Sequence, residues 1–347
     1  MNRTRVAIIC GGKSSEHEIS CVSASGVLAA IDREKFDPLL IGITKSGKWI
    51  LLPEQTSFAI KNGSLPSVPE TGTEISITSQ GLVSSGKNLE IDVAFPILHG
   101  PYGEDGTIQG LFEMIGLRYV GSGVLASAVS MDKSYAKPIF ASANLKIAPG
   151  IVVTSLKFNL PSNLHYPLFV KPARSGSSRG TTKVKKESEL ISAVEFALTF
   201  DSKVIIEQAI TGREIECAVL QSDGKVSASP IGQIVISSKY EFYDFQAKYL
   251  DSSMQLVFPT DLEAGVEEKI QAAALVAFKT AGCEGLARVD FFYSNDGEII
   301  INEINTMPGF TPTSVYPKLI EKSGISYNEL ITKLIQSAQN RSASITR

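Results

Sequence analysis

The chain has 347 residues, of which 43% are hydrophobic and 20% charged, and its formal net charge is −3. This composition excludes a disordered chain, and the lack of a long basic run argues against nucleic acid or an anionic membrane surface as a partner. The length predicts two or three domains, and no apolar run is long enough to span a membrane. The four cysteines are scattered, which is typical of reduced thiols, so we expect a cytoplasmic protein.

The first elements along the chain predict a βαβ unit. Val6–Cys10 is a short apolar run, a periodic helix is expected near Ile19–Ile31, and Phe36–Thr44 is predicted as a second strand. The first run ends in glycines too early to be the core of a secretory signal. The order favours a mostly parallel sheet. Residues 53–88, rich in Ser, Thr, Gly and Pro, are predicted to form a meandering surface insertion, with a strand only near Glu74–Thr78.

Beyond residue 88, strand and helix patterns alternate until the carboxyl end. The first domain is predicted to close near Gly121–Gly123. The predicted strands are Ile91–Leu98, Leu168–Lys171, Thr181–Val184 and Val204–Glu207, and the predicted helices are Thr107–Ile115, Leu125–Ser130, Lys133–Ala143, Glu187–Phe200, Leu262–Ala281 and Tyr327–Ala338.

A predicted hairpin near the carboxyl end carries the most informative polar residues. The dipeptide Asp296-Gly297 between two apolar-rich runs is a strong signal for a two-residue loop. Such a loop sets Asp290 opposite Glu303. It also sets Arg288 opposite Asn305, and because residues two apart on a strand share a face, all four project from one side.

These four side chains predict phosphoryl chemistry. Two carboxylates and an amide are hard oxygen ligands suited to Mg²⁺ that carries substrate phosphates, and an arginine beside them can stabilise charge that develops during a reaction. The alternative is an ordinary surface hairpin. Its strands, however, are apolar enough to be buried, and the polar groups would then need partners.

The loop from Gly11 to His17 follows the first strand, where doubly wound proteins bind ligands. It has neither the Gly-x-Gly-x-x-Gly nor the Walker pattern, which counts against an NAD-dependent oxidoreductase and against a P-loop protein. Glu16, just before a helix, is explained equally well as a residue that complements the helix dipole. His17 is more typical of a packing residue than of a catalyst.

Three later segments are suited to a nucleotide. Lys171 ends a strand and precedes a Gly/Ser-rich loop, whose N–H groups and hydroxyls can bind phosphate oxygens; a flexible turn is the alternative. Glu207 lies in a strand that could present its backbone to an adenine, or it is a solvated acid. The aromatic and charged stretch Tyr240–Tyr249 has no regular period, and long irregular loops inside a domain are usually functional.

Seven motifs in chain order extend this interpretation. They are His17-Glu-Ile-Ser, Leu98-His-Gly-x-x-Gly-Glu-Asp-Gly, Met131-Asp-Lys, Lys171-Pro-x-x-x-Gly-Ser-Ser, Tyr243-Asp-x-x-x-Lys-Tyr, Arg288-x-Asp and Asn302-Glu-x-Asn-Thr-Met-Pro-Gly. Together they resemble the D-alanine–D-alanine ligases of the ATP-grasp superfamily over essentially the whole chain. The resemblance implies an α/β protein with α+β elements and a three-domain ATP-grasp fold. Its parts are a doubly wound, parallel-sheet N-terminal domain at 1–123, a central subdomain at 124–206 and a C-terminal catalytic subdomain at 207–347.

The resemblance also implies an activity: ATP-dependent joining of two D-alanines through an acyl phosphate, for peptidoglycan. The implied cofactors are ATP and two Mg²⁺ ions, with Mn²⁺ as a substitute, and the implied assembly is a homodimer. Ligases of the same fold that use D-lactate or D-serine as second substrate are the nearest alternatives. A catalytically dead nucleotide-binding protein is another, against which the complete set of expected metal ligands counts.

Roles for individual residues follow from the motif match. Glu16 is implied to bind the first ammonium and to hold the closed loops with Ser177 and Tyr249. Arg288 and the N–H of Gly309 are implied to form the oxyanion hole. The other implied contacts are His99, Ser314 and Val315 for substrate, Lys133, Lys171, Glu207, Gln208, Ile210, Glu214 and Lys248 for ATP, and Asp290, Glu303 and Asn305 for metal.

Four positions bear on the details of this match. Tyr249 and an apolar Val315 favour D-alanine as the second substrate, because relatives that make other products often have a different loop or an arginine there. Arg179 replaces the apolar residue usual in the Gly-Ser-Ser loop. Gln208 stands where many members have lysine.

Overall fold

A computed structural model describes residues 3–60, 64–235, 255–259 and 261–341 of the chain. Within these ranges, no helix has both the length and the apolar character that crossing a membrane requires. The described strands fall into three sheets.

Alternating side chains on the first strand decide how the N-terminal sheet is covered. In β1 (Thr4–Gly11), the even-numbered apolar side chains pack beneath α1 (His17–Ala30) and the odd-numbered ones beneath α2 (Thr107–Met114). Successive residues on a strand point to opposite faces, so a continuous apolar run gives a strand covered on both sides. The doubly wound arrangement predicted from the sequence is confirmed.

The N-terminal sheet has a parallel centre and an antiparallel edge. Its other strands are β2 (Phe36–Ile43), β3 (Trp49–Leu52), β4 (Thr73–Thr78), β5 (Gly81–Ser84), β6 (Lys87–Asn88), β7 (Val93–Pro96) and β8 (Arg118–Tyr119). In the order β6-β5-β4-β3-β2-β1-β7-β8, the pairs among β2, β1, β7 and β8 are parallel and the others antiparallel. Strand order reverses at β1, which places the usual ligand crevice at the carboxyl ends of β1 and β7.

The segment 53–88 corrects one expectation. Its second half is not a surface insertion, because β4, β5 and β6 extend the sheet and pair Ile75 with Ser84 and Ile77 with Leu82. Only Ile75 and Leu82 among the apolar residues of this pair are fully buried. Strands covered on one face by so few apolar residues show almost no period in the sequence.

A second, antiparallel sheet lies in the centre of the chain. In the order β10-β13-β11-β12, it contains β10 (Gly150–Val153), β11 (Leu168–Pro172), β12 (Thr182–Val184) and β13 (Val204–Gln208). α5 (Leu190–Leu198) covers one face after a 3₁₀ turn at Glu187–Glu189. The boundary expected between residues 206 and 207 lies inside β13, and the domain limits stay predictions.

The third sheet carries the polar hairpin. It consists of β9 (Lys146–Ile147), β14 (Gly212–Ser222), β15 (Lys225–Ala228), β16 (Gly232–Val235), β17 (Gln255–Val257), β18 (Leu286–Ser294) and β19 (Ile299–Asn305) in the order β17-β16-β14-β18-β19-β9, with β15 beside β14. Its helices are α3 (Val124–Met131), α4 (Lys133–Ser142), α6 (Val266–Thr280), α7 (Val315–Lys322) and α8 (Tyr327–Gln339).

The two faces of this sheet have different neighbours. α3, α4 and α6 pack on one face, whereas α7 and α8 pack on the other. The apolar side chains beneath α7 and α8 belong to the same hydrophobic core as those beneath α1. The crevice at the end of β1 is therefore held against the third sheet by shared apolar packing.

Two glycines in the N-terminal domain give a test of this packing. Gly11 has a φ of +88°, and a Cβ there would lie 2.3 Å from the carbonyl oxygen of Ile43, so Gly11→Ala should destabilise the protein by more than the roughly 1–2 kcal/mol of the backbone conformation alone. Gly110 lies inside α2 with open space around it, so Gly110→Ala should stabilise by about 0.5–1 kcal/mol. Urea denaturation of both variants measures these changes. Equal effects of the two substitutions would contradict the conformation described for Gly11.

Candidate active site

The polar face of the hairpin is formed by β18 and β19. Asp290 lies opposite Glu303, and Arg288 lies opposite Asn305, as predicted from the sequence. The Arg288 guanidinium donates from Nε to Asp290 Oδ1 and from Nη2 to Oδ2, both at 2.7 Å. The Asn305 amide donates to Asp290 Oδ2 at 3.0 Å. Arg288, Asp290 and Asn305 therefore form one hydrogen-bonded group, with Glu303 opposite Asp290 on the same face.

The loop that joins these strands is longer than predicted. The N–H of Ser294 donates to the carbonyl of Glu298, so that three residues, not two, separate this pair, and Gly297 adopts a φ of +83°. This longer loop shifts the register by one residue near the turn, where Phe291 pairs with Ile301. A bulge at Asn302 then restores the predicted pairing at Asp290. The predicted loop length was wrong, whereas the predicted pairing is correct.

A third carboxylate, from β14, meets the same arginine. Glu216 lies opposite Asp290 in the pairing of β14 with β18, and its Oε2 is 2.9 Å from Arg288 Nε. Burial alone would lower the pKa of Arg288, but Asp290 and Glu216 raise it well above its usual value. The guanidinium is thus a permanent cation between two acids.

Lysines from the second sheet and from α4 approach the hairpin. Lys133 Nζ is 2.9 Å from Glu303 Oε2, and Lys171 Nζ donates to Asn302 Oδ1 at 3.2 Å. Lys171 also pairs with Glu207 at 2.5 Å, and Lys137 pairs with the other oxygen of Glu207 at 2.9 Å. Acids and bases alternate through this cluster, as buried charges require.

Burial and these ion pairs shift the pKa values of the cluster. Burial favours the neutral form of Glu207, but Lys137 and Lys171 outweigh it and hold the pKa of Glu207 at about 2. Burial lowers the pKa of Lys171 against the opposing effect of Glu207. For Lys133, Glu303 outweighs burial, and the pKa is raised.

A cavity of about 110 Å³ lies between the second and third sheets. Its cationic and hydroxyl-bearing side comes from β11, α4 and the loop after Lys171, and its acidic side from β14, β18 and β19. The residues that line it are Lys133, Phe169, Lys171, Pro172, Ser175, Ser177, Ser178, Thr181, Glu207, Glu214, Ile215, Glu216, Asp290, Phe291, Phe292, Asn302 and Glu303. Phenylalanine rings beside lysines and carboxylates are the combination that an aromatic, phosphorylated ligand requires.

The donor set of the hairpin fits a magnesium ion bound with phosphates. In the described part of the chain, no three His, Cys, Asp or Glu residues are placed to form a complete metal site. Mg²⁺ commonly takes only one or two protein carboxylates and completes its coordination with water and phosphate. Asp290 and Glu303 are such carboxylates, and each is neutralised by a cation, Arg288 or Lys133. Asn305 donates through its nitrogen, so its oxygen is the atom that can ligate a metal.

The Gly/Ser loop after Lys171 contacts the N-terminal crevice. The Ser177 hydroxyl donates to Glu16 Oε1, and a Cβ on Gly176 would lie 3.0 Å from the other carboxylate oxygen. Gly100, on the loop after β7, approaches the same oxygen, to which its Cβ would be 2.8 Å. Glu16 is the N-cap residue of α1 but makes no capping hydrogen bond through its side chain. Its carboxylate therefore links three loops, and the helix-cap explanation is insufficient.

Two buried histidines serve the crevice structurally. His17 donates from Nδ1 to the carbonyl of Gly12 and accepts the N–H of Val68 at Nε2, which supports the packing interpretation. His99 bonds through Nδ1 to the carbonyl of Met307 and through Nε2 to the Ser23 hydroxyl, while burial lowers its pKa. His99 thereby connects the first domain to the segment that precedes Gly309.

Ser314 begins α7 close to Gly309. Its hydroxyl accepts the N–H of Thr311 at 3.1 Å, and a Cβ on Gly309 would lie 3.2 Å from this oxygen. Val315 is buried behind it. The residues expected to contact the second substrate and the oxyanion are thus neighbours.

Among the expected nucleotide contacts, Glu207 lines the cavity but is engaged by lysines, and Gln208 and Ile210 do not line it. The Gln208 side chain bonds to the backbone of residues 165–167, and neither it nor Ile210 lines the cavity. Glu207 directs its carboxylate to Lys137 and Lys171. Lys248 and Tyr249, with the rest of the aromatic stretch Tyr240–Tyr249, lie outside the described residues.

Sequence reasoning missed four polar residues of the site. Glu216 and Lys137 had a detectable signal, because Glu216 is two residues from Glu214 on a strand and Lys137 is one helical turn from Lys133. Asn302 stands in the last of the seven motifs, but no role was assigned to it, since only the bulge turns it towards Lys171. Glu104 accepts the N–H groups of Gly100 and Met307, a contact that spans too much sequence to be seen in a motif.

Two sheets with a cavity between them, lined by cations on one side and by carboxylates on the other, form the architecture of the ATP-grasp ligases. This is the class of protein that the fold and the site define. Family models agree with this class. The model described as D-ala D-ala ligase N-terminus matches residues 5–122, and the one described as D-ala D-ala ligase C-terminus matches residues 149–336. The chain belongs to the D-alanine–D-alanine ligase family.

Curated relatives match almost end to end. A D-alanine–D-alanine ligase from Arthrobacter sp. (strain FB24) is 47% identical over 98% of this chain and 95% of the relative. One from Streptomyces coelicolor is 45% identical over 97% of this chain and 93% of the relative.

Solved structures agree with the fold. The VanG D-Ala:D-Ser ligase from Enterococcus faecalis has a TM-score of 0.84 at 36% identity, covering 97% of this chain and 100% of that one. The D-alanine-D-alanine ligase from Coxiella burnetii has a TM-score of 0.83 at 34% identity, covering 98% and 95%. A Bacillus anthracis D-alanine–D-alanine ligase complexed with ATP has a TM-score of 0.73 at 29% identity, covering 96% and 97%. The ATP-grasp fold expected from the motifs is confirmed.

Glu104 gives the site a testable pH dependence. Burial, followed by the nearby Glu16 carboxylate, raises the pKa of Glu104 from 4.5 to about 8. The folded protein therefore keeps a proton that the unfolded chain loses, so the stabilisation is complete below about pH 4.5 and is lost as the pH rises through about 8. Glu104→Gln cannot titrate, and we expect its free energy of unfolding to fall less between about pH 5 and pH 8. Urea denaturation across that range measures the difference, and parallel pH profiles of variant and parent would contradict the protonated Glu104.

Proposed function

We propose that the protein uses ATP to join two D-alanines into D-alanyl-D-alanine. The observation that carries the proposal is one cavity lined by Asp290 and Glu303 and by Lys133 and Lys171, with Arg288 paired to Asp290. Membership of the family and the relatives named for this activity support it. ATP use is further supported by the relative whose structure contains ATP.

The first step makes an acyl phosphate. A carboxylate oxygen of the first D-alanine attacks the γ-phosphorus of ATP, the bond from that phosphorus to the bridging oxygen breaks, and ADP leaves with the electron pair. Phosphoryl transfer depends chiefly on positioning and on neutralising charge. Lys133 and Lys171 supply ammonium groups that can exchange Glu303 and Glu207 for phosphate oxygens.

Metal ligands and a lid complete the first step. We assign Asp290, Glu303 and Asn305 to two Mg²⁺ ions, which neutralise phosphate charge when bound. Mn²⁺, with the same preference for oxygen ligands, can substitute. The contact of Ser177 with Glu16 closes the Gly/Ser loop over the cavity and excludes water from the acyl phosphate.

The second step forms the peptide bond. The amine of the second D-alanine attacks the acyl carbon and loses a proton, and the tetrahedral intermediate expels phosphate. We assign the developing oxyanion to Arg288 and the N–H of Gly309. Losing one such donor typically costs about 10²–10³ in rate.

The second substrate is proposed to be D-alanine because the side chain behind Ser314 is apolar and buried. Val315 offers no charge with which to select a hydroxy acid. D-serine is the second candidate, favoured by the similarity to the VanG ligase. A cytoplasmic location and a homodimer are proposed on the family basis alone.

The metal role predicts the effect of one isosteric change. Asp290→Asn removes a carboxylate charge and should lower turnover by more than about 100-fold, since loss of even an outer-sphere partner of a metal costs about 10–100-fold. D-alanine-dependent release of phosphate from ATP measures turnover, and circular dichroism checks the fold. The neighbouring, exposed Asp296→Asn is the matched control and should retain activity. A folded, active Asp290→Asn variant would refute the metal role.

Substrate choice has a separate test. Phosphate release should rise on adding D-alanine alone, and the product should be the homodipeptide. In competition at neutral pH, D-alanine should outcompete D-serine and D-lactate for the second position, although a pocket of this kind discriminates by only about 10–200-fold. Mass spectrometry identifies the products. Preferential formation of D-alanyl-D-serine would show that D-serine, the second candidate, is the second substrate.

A further inference from the structure

Arg288 is held by carboxylates from two different strands. Both oxygens of Asp290 accept its N–H groups, while Glu216, on β14, lies 2.9 Å from its Nε. All three side chains are largely buried, with 15% of Arg288, 13% of Asp290 and 6% of Glu216 exposed. This is a compact triad in which one cation is shared by two acids.

The proposed roles of two members of this triad conflict with their pairing. Asp290 is assigned to the metal, but both its oxygens are occupied by the guanidinium and the Asn305 amide. Arg288 is assigned to the oxyanion, but it faces Asp290. Each carboxylate oxygen offers two lone pairs, and Oδ2 already accepts two hydrogen bonds, so a metal ion that binds both oxygens must displace Arg288 or Asn305 from Oδ2.

Losing Asp290 as a partner would be costly for a buried arginine without another acid. A buried charge stripped of its counter-ion destabilises a protein strongly, whereas one that exchanges one counter-ion for another does not. Glu216 is placed for such an exchange because it pairs directly across from Asp290, on the same face of the sheet. Arg288 Nε already lies 2.9 Å from Glu216 Oε2, so the guanidinium has an acidic partner in place when it leaves Asp290.

We propose that Glu216 is a positioning residue that retains Arg288 when a divalent metal takes Asp290. The inference rests on the proposed metal role of Asp290 and the oxyanion role of Arg288. In the pairing described above, the Arg288 guanidinium supplies the positive charge beside Asp290. Metal binding to Asp290 transfers the Arg288 guanidinium to Glu216 and frees its remaining N–H groups for the oxyanion. The groups that stabilise the second step are therefore in place only after the metal used in the first step has bound.

The consequence is a thermodynamic competition between Arg288 and the metal for Asp290. Because Glu216 draws the guanidinium away, it should favour metal binding through Arg288. A carboxylate that merely adds negative charge near the metal would favour binding whether or not Arg288 is present. A double-mutant cycle at Glu216 and Arg288 distinguishes the two explanations.

The experiment measures Mn²⁺ affinity by electron paramagnetic resonance, using the full chain with a non-hydrolysable ATP analogue. We expect Glu216→Gln to weaken Mn²⁺ binding by about fivefold, the order of coupling seen between contacting residues. Arg288→Met should bind Mn²⁺ at least as tightly as the parent, since the competitor is gone. In the Arg288→Met background, Glu216→Gln should have no further effect.

Three outcomes decide the proposal. A fivefold loss that disappears in the Arg288→Met background supports it. An equal loss in both backgrounds, or no loss in either, overturns it. Asp290→Asn is measured alongside: if this change leaves Mn²⁺ affinity intact, the metal role of Asp290 is what fails.

A conservative variant protects the test against misfolding. Glu216→Asp keeps the charge but withdraws it by one methylene, so it should weaken Mn²⁺ binding less than Glu216→Gln, again only when Arg288 is present.

Product analysis adds a second readout. Glu216→Gln should still form the acyl phosphate, trapped with hydroxylamine at saturating metal, while its dipeptide formation falls by a larger factor. Equal losses in acyl phosphate formation and in dipeptide formation would overturn the positioning role.

Discussion

The pairing of β18 with β19 is the constraint on which the site depends. It places Arg288, Asp290, Glu303 and Asn305 on one face, where Lys133 pairs with Glu303 and Glu216 pairs with Arg288. The pairing is set by two irregularities that compensate each other, a three-residue loop and a bulge at Asn302. Because one residue of slip would move a whole set of side chains to the opposite face, the bulge is as necessary to the chemistry as the ligands are.

Most charged groups of the site form ion pairs with one another. Lysines from the central sheet and from α4 neutralise Glu207 and Glu303, and Arg288 neutralises Asp290 and Glu216. In the proposed mechanism, ligand binding is an exchange of ionic partners, in which phosphates bind the lysines and metal binds the carboxylates. Such an exchange avoids the large cost of creating an unpaired buried charge.

The motifs located much of the site in advance because their residues lie close together in sequence. Asp290 and Arg288 are two apart on one strand, and a short hairpin brings Glu303 within reach, so strand geometry sufficed. Glu104 could not be found in this way, since its contact with Met307 joins two domains. Whether Gln208 can contact a nucleotide likewise depends on the tertiary structure, because its side chain bonds to the loop at residues 165–167. Lys248 and Tyr249, outside the described residues, keep their roles as predictions.

By itself, the sequence determined the family, the doubly wound first domain and the shared face of the hairpin. These are consequences of local order: apolar runs that make strands buried on both sides, and polar residues at a spacing of two. Only the tertiary structure decided that β4, β5 and β6 join the first sheet, that Asn302 is turned towards Lys171, and that Glu216 shares Arg288 with Asp290. The physical reason is that these contacts are formed between strands far apart in the chain, where the partner of a buried charge is chosen by the packing of sheets and not by the residues beside it.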